Sequence, residues 1–326
     1  MKRILSFVFV VALAVSVLTF GGCGKKSKAL KLGLGVYTTA SATSATEDKN
    51  GEGQAVMTVA AVLVDEKGKI VKCFVDCAEN TVAYTANGKA IANASFATKY
   101  EQGDAYNMVE YGNANREWYA QADAFCALVE GKTLSGVKAL LASDNKGTEE
   151  VINAGCTVEI SEFVLAIEKA VTNAVDSNAT AKDRLKVGVS TTQTTGDATE
   201  DANGSNQLET TFFAASMNEK GTITASKTES VEVDFTFDMN GVSKFGATKT
   251  VLGKYEQGDS YKMKEYGGAV KEWYEQANAF CDATVGKTPS EVSNLAASDN
   301  YGIDDVKNAG CTIRVDGFVK AASKVK

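Results

Sequence analysis

The cysteines are the residues whose type and spacing most clearly suggest chemistry. Of the seven in the chain, one lies near the N-terminus and six lie in its body. An even number suits disulfide pairing in an oxidising compartment. Two pairs share a spacing of 30 residues, which predicts one disulfide in each, with buried free thiols as the alternative: Cys126 with Cys156, and Cys281 with Cys311.

Two further cysteines, Cys73 and Cys77, lie in a predicted strand and match Ser226 and Ser230 in the second half of the chain. Four residues along a strand span about 13 Å, which is too far for a disulfide unless the chain turns between them. We interpret both as small buried residues, and a redox pair is the alternative.

Composition excludes several kinds of catalytic and metal chemistry. The chain has no histidine, which removes Ser-His-Asp and Cys-His catalysis, His-containing zinc sites and bis-histidine haem ligation. The segments at Gly131 and Gly286 resemble the end of a P-loop but lack its earlier glycine, and those after Asp144 and Asp299 lack the spaced acids of a calcium loop. We therefore predict no metal site and no catalytic side chains of the chain's own.

The first residues predict an exported, lipid-anchored protein. A basic start at residues 1–3 precedes an apolar run from Ile4 to Phe20 and then two glycines and Cys23. This arrangement resembles the bacterial lipobox, in which the cysteine is lipidated and becomes the new N-terminus. We predict a signal peptide at residues 1–22, a lipidated tether at 23–29, and a location on the extracytoplasmic face of the cell membrane, at the cell surface or in the periplasm. An uncleaved anchor helix and simple secretion are the alternatives.

The body of the chain contains an internal repeat. Lys99–Asp104 recurs as Lys254–Asp259, and the offset of 155 holds through Thr157, with 37 identities in those 59 positions. A repeat of this length indicates two tandem domains rather than a solenoid. We predict a first module at residues 30–173, a polar linker at 174–183 and a second module at 184–326. The net charge of -7 argues against nucleic acid as a partner.

Each module is predicted to be α+β, with an antiparallel sheet in front and packed helices behind. Short β-type runs and a turn at residues 65–68 or 218–221 predict a hairpin. Apolar residues at helical spacing follow from 115 to 130 and end at a capping glycine, Gly131 or Gly286. A capping box at Thr288–Glu291 predicts another helix start. A short strand at 156–160 or 311–315 is expected before a last helix from Ser161 or Asp316.

The repeated segment Lys99–Met108, together with the residues around Trp118 and Gly131–Thr133, resembles repeats in bacterial cell-surface lipoproteins related to the FMN-binding domain family. The similarity covers both modules, most clearly residues 99–157 and 254–312. It implies an FMN cofactor esterified to the threonine of a late loop, and a role in extracellular electron transfer with a flavin or small electron shuttle as partner. The implied loop residues are Gly155, Thr157, Gly310 and Thr312, and the implied stacking partners are Tyr106, Tyr261, Trp118 and Trp273.

Two functions are therefore expected for the chain. The first is a flavin-associated redox lipoprotein, in which the cofactor supplies the chemistry and the protein holds it. The second is a non-catalytic surface lipoprotein whose modules have lost the flavin and bind a ligand or partner. The loop motivates the second, because Ala154 and Cys156 replace the hydroxyl residue and the alanine of the family's loop.

Overall fold

The computed structural model describes residues 28–93 and 95–325. The predicted signal peptide and the predicted lipidation site at Cys23 lie outside the described residues. The described part is α+β, as predicted, with antiparallel sheets and α-helices. Within it, none of the helices has the length and apolar character needed to cross a bilayer.

The first sheet is built on three long strands that pair antiparallel in chain order. These strands are β1 (Lys31–Thr43), β2 (Gly51–Val64) and β3 (Ile70–Tyr84). The β2–β3 hairpin was predicted from its turn, in which the Asp65 carboxylate accepts the N–H groups of Lys67 and Lys69. Two short strands complete this part of the sheet, and the order is β4-β3-β2-β1-β5: β4 (Ala90–Ile91) and β5 (Val175–Asp176).

The second sheet has three strands whose lengths match those of the first. They are β6 (Arg184–Gly196), β7 (Gly204–Met217) and β8 (Ile223–Phe237). Both sheets show the same irregularity near the end of the second strand, between Leu63 and Val64 and between Ser216 and Met217. Corresponding strand residues are therefore 153 positions apart, and we use this offset to compare the modules.

Six helices follow the first three strands. They are α1 (Lys99–Gln102), α2 (Met108–Gly112), α3 (Trp118–Val129), α4 (Leu134–Lys138), α5 (Glu149–Ala154) and α6 (Ser161–Thr172). Strand β9 (Lys249–Val251) precedes the helices of the second module. These are α7 (Lys254–Gln257), α8 (Met263–Gly267), α9 (Trp273–Thr284), α10 (Asp304–Ala309) and α11 (Asp316–Ser323).

The molecule has four layers, helix–sheet–sheet–helix. One apolar core lies between the sheets and includes Leu34, Met57 and Phe74 from the first and Phe212 and Phe235 from the second. Two further cores lie between each sheet and its own helices. Because β1 contacts β8 and β3 contacts β6, the modules face each other in a roughly two-fold arrangement.

The modules are also joined through their backbones. Strand β9 of the second module pairs with β1 of the first, beside Thr38–Ala40. Strand β5 pairs with the start of β1 and lies within the stretch predicted as a linker. That stretch is therefore part of the first sheet's edge.

Close packing between the last helix and the first strand depends on glycine. A Cβ at Gly35 would lie 2.3 Å from the Ala166 carbonyl oxygen, and one at Gly188 would lie 2.0 Å from that of Ala321. In the first module α6 extends far enough that Gly33 is also required, 1.9 Å from the Ala170 oxygen. The shorter α11 ends at Ser323, so the matching position in β6 accommodates Lys186.

Two sequence-based elements differ from the structure. The strands expected at 156–160 and 311–315 are only isolated bridges, Lys146 with Glu159 and Tyr301 with Arg314, because no long strand lies beside them. The helix expected after Thr288 is a 3₁₀ turn, Glu291–Leu295. There the Glu291 carboxylate accepts from both the N–H and the hydroxyl of Thr288, so only half of the capping box forms.

Candidate functional site

The loop implied as the flavin attachment site has its hydroxyls engaged within the protein. Gly155 has φ 101° and ends α5, and Thr157 follows the buried Cys156. The Thr157 hydroxyl and N–H both donate to the side-chain oxygen of Gln121, at 3.0 and 2.8 Å. Gly310, Thr312 and Gln276 repeat this arrangement with the same distances.

Gln121 and Gln276 are the residues at this loop that the sequence comparison missed. Gln121 is buried, and its amide nitrogen donates to the Arg116 carbonyl at 2.9 Å while its oxygen accepts from Thr157. It therefore ties the loop to the start of α3. The sequence signal was its place within the repeated Trp-Tyr-x-Gln-Ala segment.

The aromatic residues implied as flavin partners are either buried in the core or have a lysine ammonium group over the ring. Trp118 is 4% exposed and packs edge-on against Phe163, with ring centroids 5.7 Å apart. Trp273 packs the same way on Phe318, at 5.6 Å. Lys99 lies over the Tyr106 ring and Lys254 over that of Tyr261. These residues fit an ester-linked FMN poorly, because both threonine hydroxyls are hydrogen-bonded within the protein and both tryptophan rings are buried.

The cysteine geometry differs from the predicted pairing. All six cysteines among the described residues are free, so the bonds expected for Cys126–Cys156 and Cys281–Cys311 are not formed. The Cys126 thiol instead lies beside that of Cys73, and this neighbour together with burial raises the pKa of Cys126. The sequence spacing could not show this contact, because it depends on α3 packing across β3.

The remaining cysteines are buried thiols. Burial raises the pKa of Cys77 to about 12 and that of Cys281 to about 12. It raises the pKa of Cys156 and of Cys311 to about 11. Thiolates are the reactive form of cysteine, so these four side chains act as packing residues.

The two segments considered for calcium are turns. The Asp144 carboxylate accepts the N–H of Lys146, and the Asp299 carboxylate accepts that of Tyr301. The intervening residues Asn145 and Asn300 have φ values of 65° and 68°, which asparagine tolerates in turns.

A cavity at the boundary between the modules brings aromatic and charged side chains together. We call it the module-interface cavity; its volume is about 550 Å³. Strand β3 and α1 of the first module form one wall, and β6 with the residue after α11 forms the other. Its polar and aromatic lining comprises Phe74, Asp76, Tyr100, Glu101, Lys186 and Lys324.

Lys186 is held against the aromatic wall of this cavity. Its Nζ lies 4.6 Å from the Phe74 ring centroid and 4.8 Å from that of Tyr100. It donates to the Tyr100 hydroxyl at 3.2 Å, and that hydroxyl donates to Asp123. Among the described residues, no carboxylate lies within 4.0 Å of Lys186. Its charge is therefore balanced by one neutral hydroxyl and by ring faces, which attract cations weakly.

Asp76 is the buried acid of the cavity, only 2% exposed. One of its oxygens accepts the N–H groups of Cys77, at 2.6 Å, and Tyr100, at 3.0 Å. Burial raises the pKa of this carboxyl to about 7 even though these hydrogen bonds and one with Thr98 oppose the shift. The side chain therefore joins the cavity wall to the first turn of α1.

A smaller cavity of about 320 Å³ occupies the two-fold-related position. It contains Glu229 in place of Asp76 and Tyr255 in place of Tyr100. Burial likewise raises the pKa of Glu229 to about 7. A rim ion pair also recurs, Lys324 with Glu101 at 3.0 Å and Lys169 with Glu256 at 2.8 Å.

The two cavities differ in the position of the lysine that lies on their aromatic side chains. In the smaller cavity's neighbourhood, Lys227 replaces Phe74, and Gly33 replaces Lys186. Lys227 donates to the Asn173 carbonyl at 2.8 Å and lies over the Tyr255 ring. Burial lowers the pKa of Lys227 to about 8. The two acids were visible in the sequence at matching places in apolar strands, but the cavities require both modules to face each other.

No protein-family model matches the chain, and neither curated proteins nor solved structures give a match. The chain is therefore described by its own geometry, as an α+β protein of two facing modules with a cavity at their boundary.

Proposed function

We propose that this chain is a lipid-anchored extracytoplasmic binding protein whose module-interface cavity takes a small organic anion with a flat apolar body. The observation that carries the proposal is Lys186, a cation held on an aromatic wall without a carboxylate partner. The apolar body of such a ligand could lie against Phe96 and Ala97, which line the cavity and are partly exposed, while its negative group reaches Lys186. The cavity volume is within the range of about 300–1,000 Å³ typical of ligand sites.

The charges around the cavity favour one negative group on the ligand. Lys324 is already paired with Glu101 at the rim, and Asp76 is largely protonated below its pKa of about 7. Lys186 is thus the main uncompensated charge in the lining. A hydrogen bond from its ammonium group to an anion would be stronger than one to a neutral acceptor.

The anchoring part of the proposal rests on the sequence alone. The apolar run before Cys23 supports export and lipidation at that residue. The test is metabolic labelling with a fatty acid, followed by comparison of wild type with Cys23→Ser. We expect the label in wild type only, and release of the variant into the medium. Absence of label from the wild-type protein, with wild type and Cys23→Ser retained in the membrane to the same extent, would contradict lipidation.

The binding part is tested with two planar aromatic anions, 1-anilinonaphthalene-8-sulfonate and FMN. Titration of the mature chain should show saturable binding of at least one probe, weakened at least tenfold in Lys186→Met. Lys220→Met, in an exposed turn, is the matched control and should bind like wild type. Equal binding by Lys186→Met would refute the assignment of the site.

The same preparation separates the binding function from the flavin-carrier alternative. Expression in a host able to attach FMN, followed by an absorbance spectrum and intact mass, should give a colourless protein with no FMN-phosphate addition. A band near 450 nm lost in Thr157→Ala and Thr312→Ala would establish the electron-transfer function instead. In the structure these two hydroxyls donate to Gln121 and Gln276. The two alanine substitutions therefore also test these hydrogen bonds.

A further inference from the structure

The second module has a polar pocket on the outer face of its sheet. None of its lining residues belongs to the module-interface cavity. We call this pocket the strand-end pocket; its volume is about 340 Å³. It lies over β6, β7 and β8 and beside the first residues of α9 and α11. Five hydroxyl side chains line it: Ser190, Thr192, Thr194, Thr211 and Ser230.

The pocket exists because two large side chains of the first module are replaced by small ones. Tyr37 corresponds to Ser190, and Glu162 corresponds to Gly317. In the first module, Glu162 accepts a hydrogen bond from Thr58 at 2.8 Å and covers this part of the sheet. In the second module nothing replaces it, and Thr211 pairs with Ser230 at 2.9 Å.

Gly317 also keeps the pocket open by its own size. A Cβ at this position would lie 2.9 Å from the Thr211 hydroxyl, so a side chain here would shift that hydroxyl and occupy part of the pocket. The floor is completed by Trp273 and Phe318, which also line the pocket. The result is a small apolar base surrounded by hydroxyl groups.

The charged residues of the pocket are already balanced. The Glu209 carboxylate lies 2.7 Å from Lys254, and Asp316 lies 3.3 Å from both Arg314 and Lys320. An ionic ligand would have to break these pairs. A neutral ligand would instead meet hydroxyls that both donate and accept, and carboxylates that accept.

We propose that the strand-end pocket binds a small neutral polyhydroxylated molecule, of the size and chemistry of a monosaccharide. Its hydroxyls match those of Ser190, Thr192 and Thr194, which line the pocket. The volume lies within the range of ordinary small-molecule sites. The site is independent of the proposed anion site because the two share no lining residue.

The test is ligand-observed NMR and calorimetry on the mature chain with D-glucose, D-galactose, D-mannose and N-acetyl-D-glucosamine. We expect at least one sugar to bind, and binding to weaken at least tenfold when the first module's residues are restored in Ser190→Tyr combined with Gly317→Glu. This variant should fold, because Tyr37 and Glu162 occupy the same places in the first module.

A milder pair of variants keeps the test decisive if the double change disturbs folding. Thr194 is exposed at the pocket rim, and its counterpart in the first module is Ser41. Thr194→Val should weaken sugar binding about fivefold, as loss of a hydrogen bond of about 1 kcal/mol predicts. Ser41→Val should leave it unchanged. Binding of none of the four sugars at millimolar concentration, or equal binding by wild type and Thr194→Val, would overturn the proposal.

Discussion

Asp76→Asn should stabilise the protein at neutral pH, although it removes a charge that accepts several hydrogen bonds. Both backbone N–H groups donate to the same oxygen of Asp76, and an asparagine oxygen can accept both. The Thr98 side chain also hydrogen-bonds the carboxyl group, and an asparagine side chain offers it a polar partner as well. The substitution therefore keeps the local geometry and removes mainly the cost of burying a negative charge.

The size and pH range of the effect follow from the pKa. In the unfolded chain Asp76 ionises near 3.8, and in the folded protein near 7 because of burial. The folded state therefore holds the proton more tightly, and its stability falls as pH rises from about 4 to 7. That difference corresponds to roughly 4 kcal/mol. The variant lacks this loss, so its advantage should be near zero at pH 4 and roughly 4 kcal/mol at pH 8.

The assay is chemical unfolding followed by tryptophan fluorescence at several pH values between 4 and 8. Trp118 and Trp273 are both buried, one in each module, and report on the two helical layers. The quantity to compare is the variant's free energy of unfolding minus that of wild type, since other titrations then cancel. A pH-independent difference, or a variant less stable at pH 8, would show that the hydrogen bonds outweigh burial and that Asp76 has a low pKa.

Further predictions concern packing, the buried lysine and the thiols. Gly188→Ala should destabilise the chain by about 3 kcal/mol, because the new methyl group would lie 2.0 Å from the Ala321 oxygen. The control Gly196→Ala, whose methyl group would have its nearest neighbour at 3.5 Å, should change the denaturation midpoint little. Similar losses of stability in the two variants would refute the packing argument. Lys227→Met should raise the free energy of unfolding at pH 7 by roughly 3 kcal/mol and by less at pH 10, because burial lowers the pKa of Lys227 from 10.5 to about 8 and the cost of its charge disappears as pH rises between these values. A gain that does not shrink by pH 10 would count against this. Cys77, buried and with a pKa of about 12, should resist iodoacetamide at pH 8 until guanidinium unfolds the protein, as peptide mass mapping can show; modification of the native protein at Cys77 would contradict its burial.

Several elements of the fold could be predicted from local sequence pattern. The hairpin turn at Asp65–Gly68, the helix carrying Trp118 and Phe125, and the last helix from Ser161 follow from turn residues and helical spacing, and the structure has them. Together they established the α+β class. The burial of both tryptophans also agrees with the apolar faces on which they were placed.

Which side chains from different elements contact each other depends on the tertiary structure. The Cys126 thiol lies beside Cys73 because α3 packs across β3. The spacing of cysteines along the chain could not predict this contact. Thr157 donates to Gln121, although its loop had implied a cofactor. Asp76 and Lys186 line one cavity only because the two sheets face each other. Local periodicity reports which face of an element is apolar, whereas a site between elements depends on how those faces are paired in space.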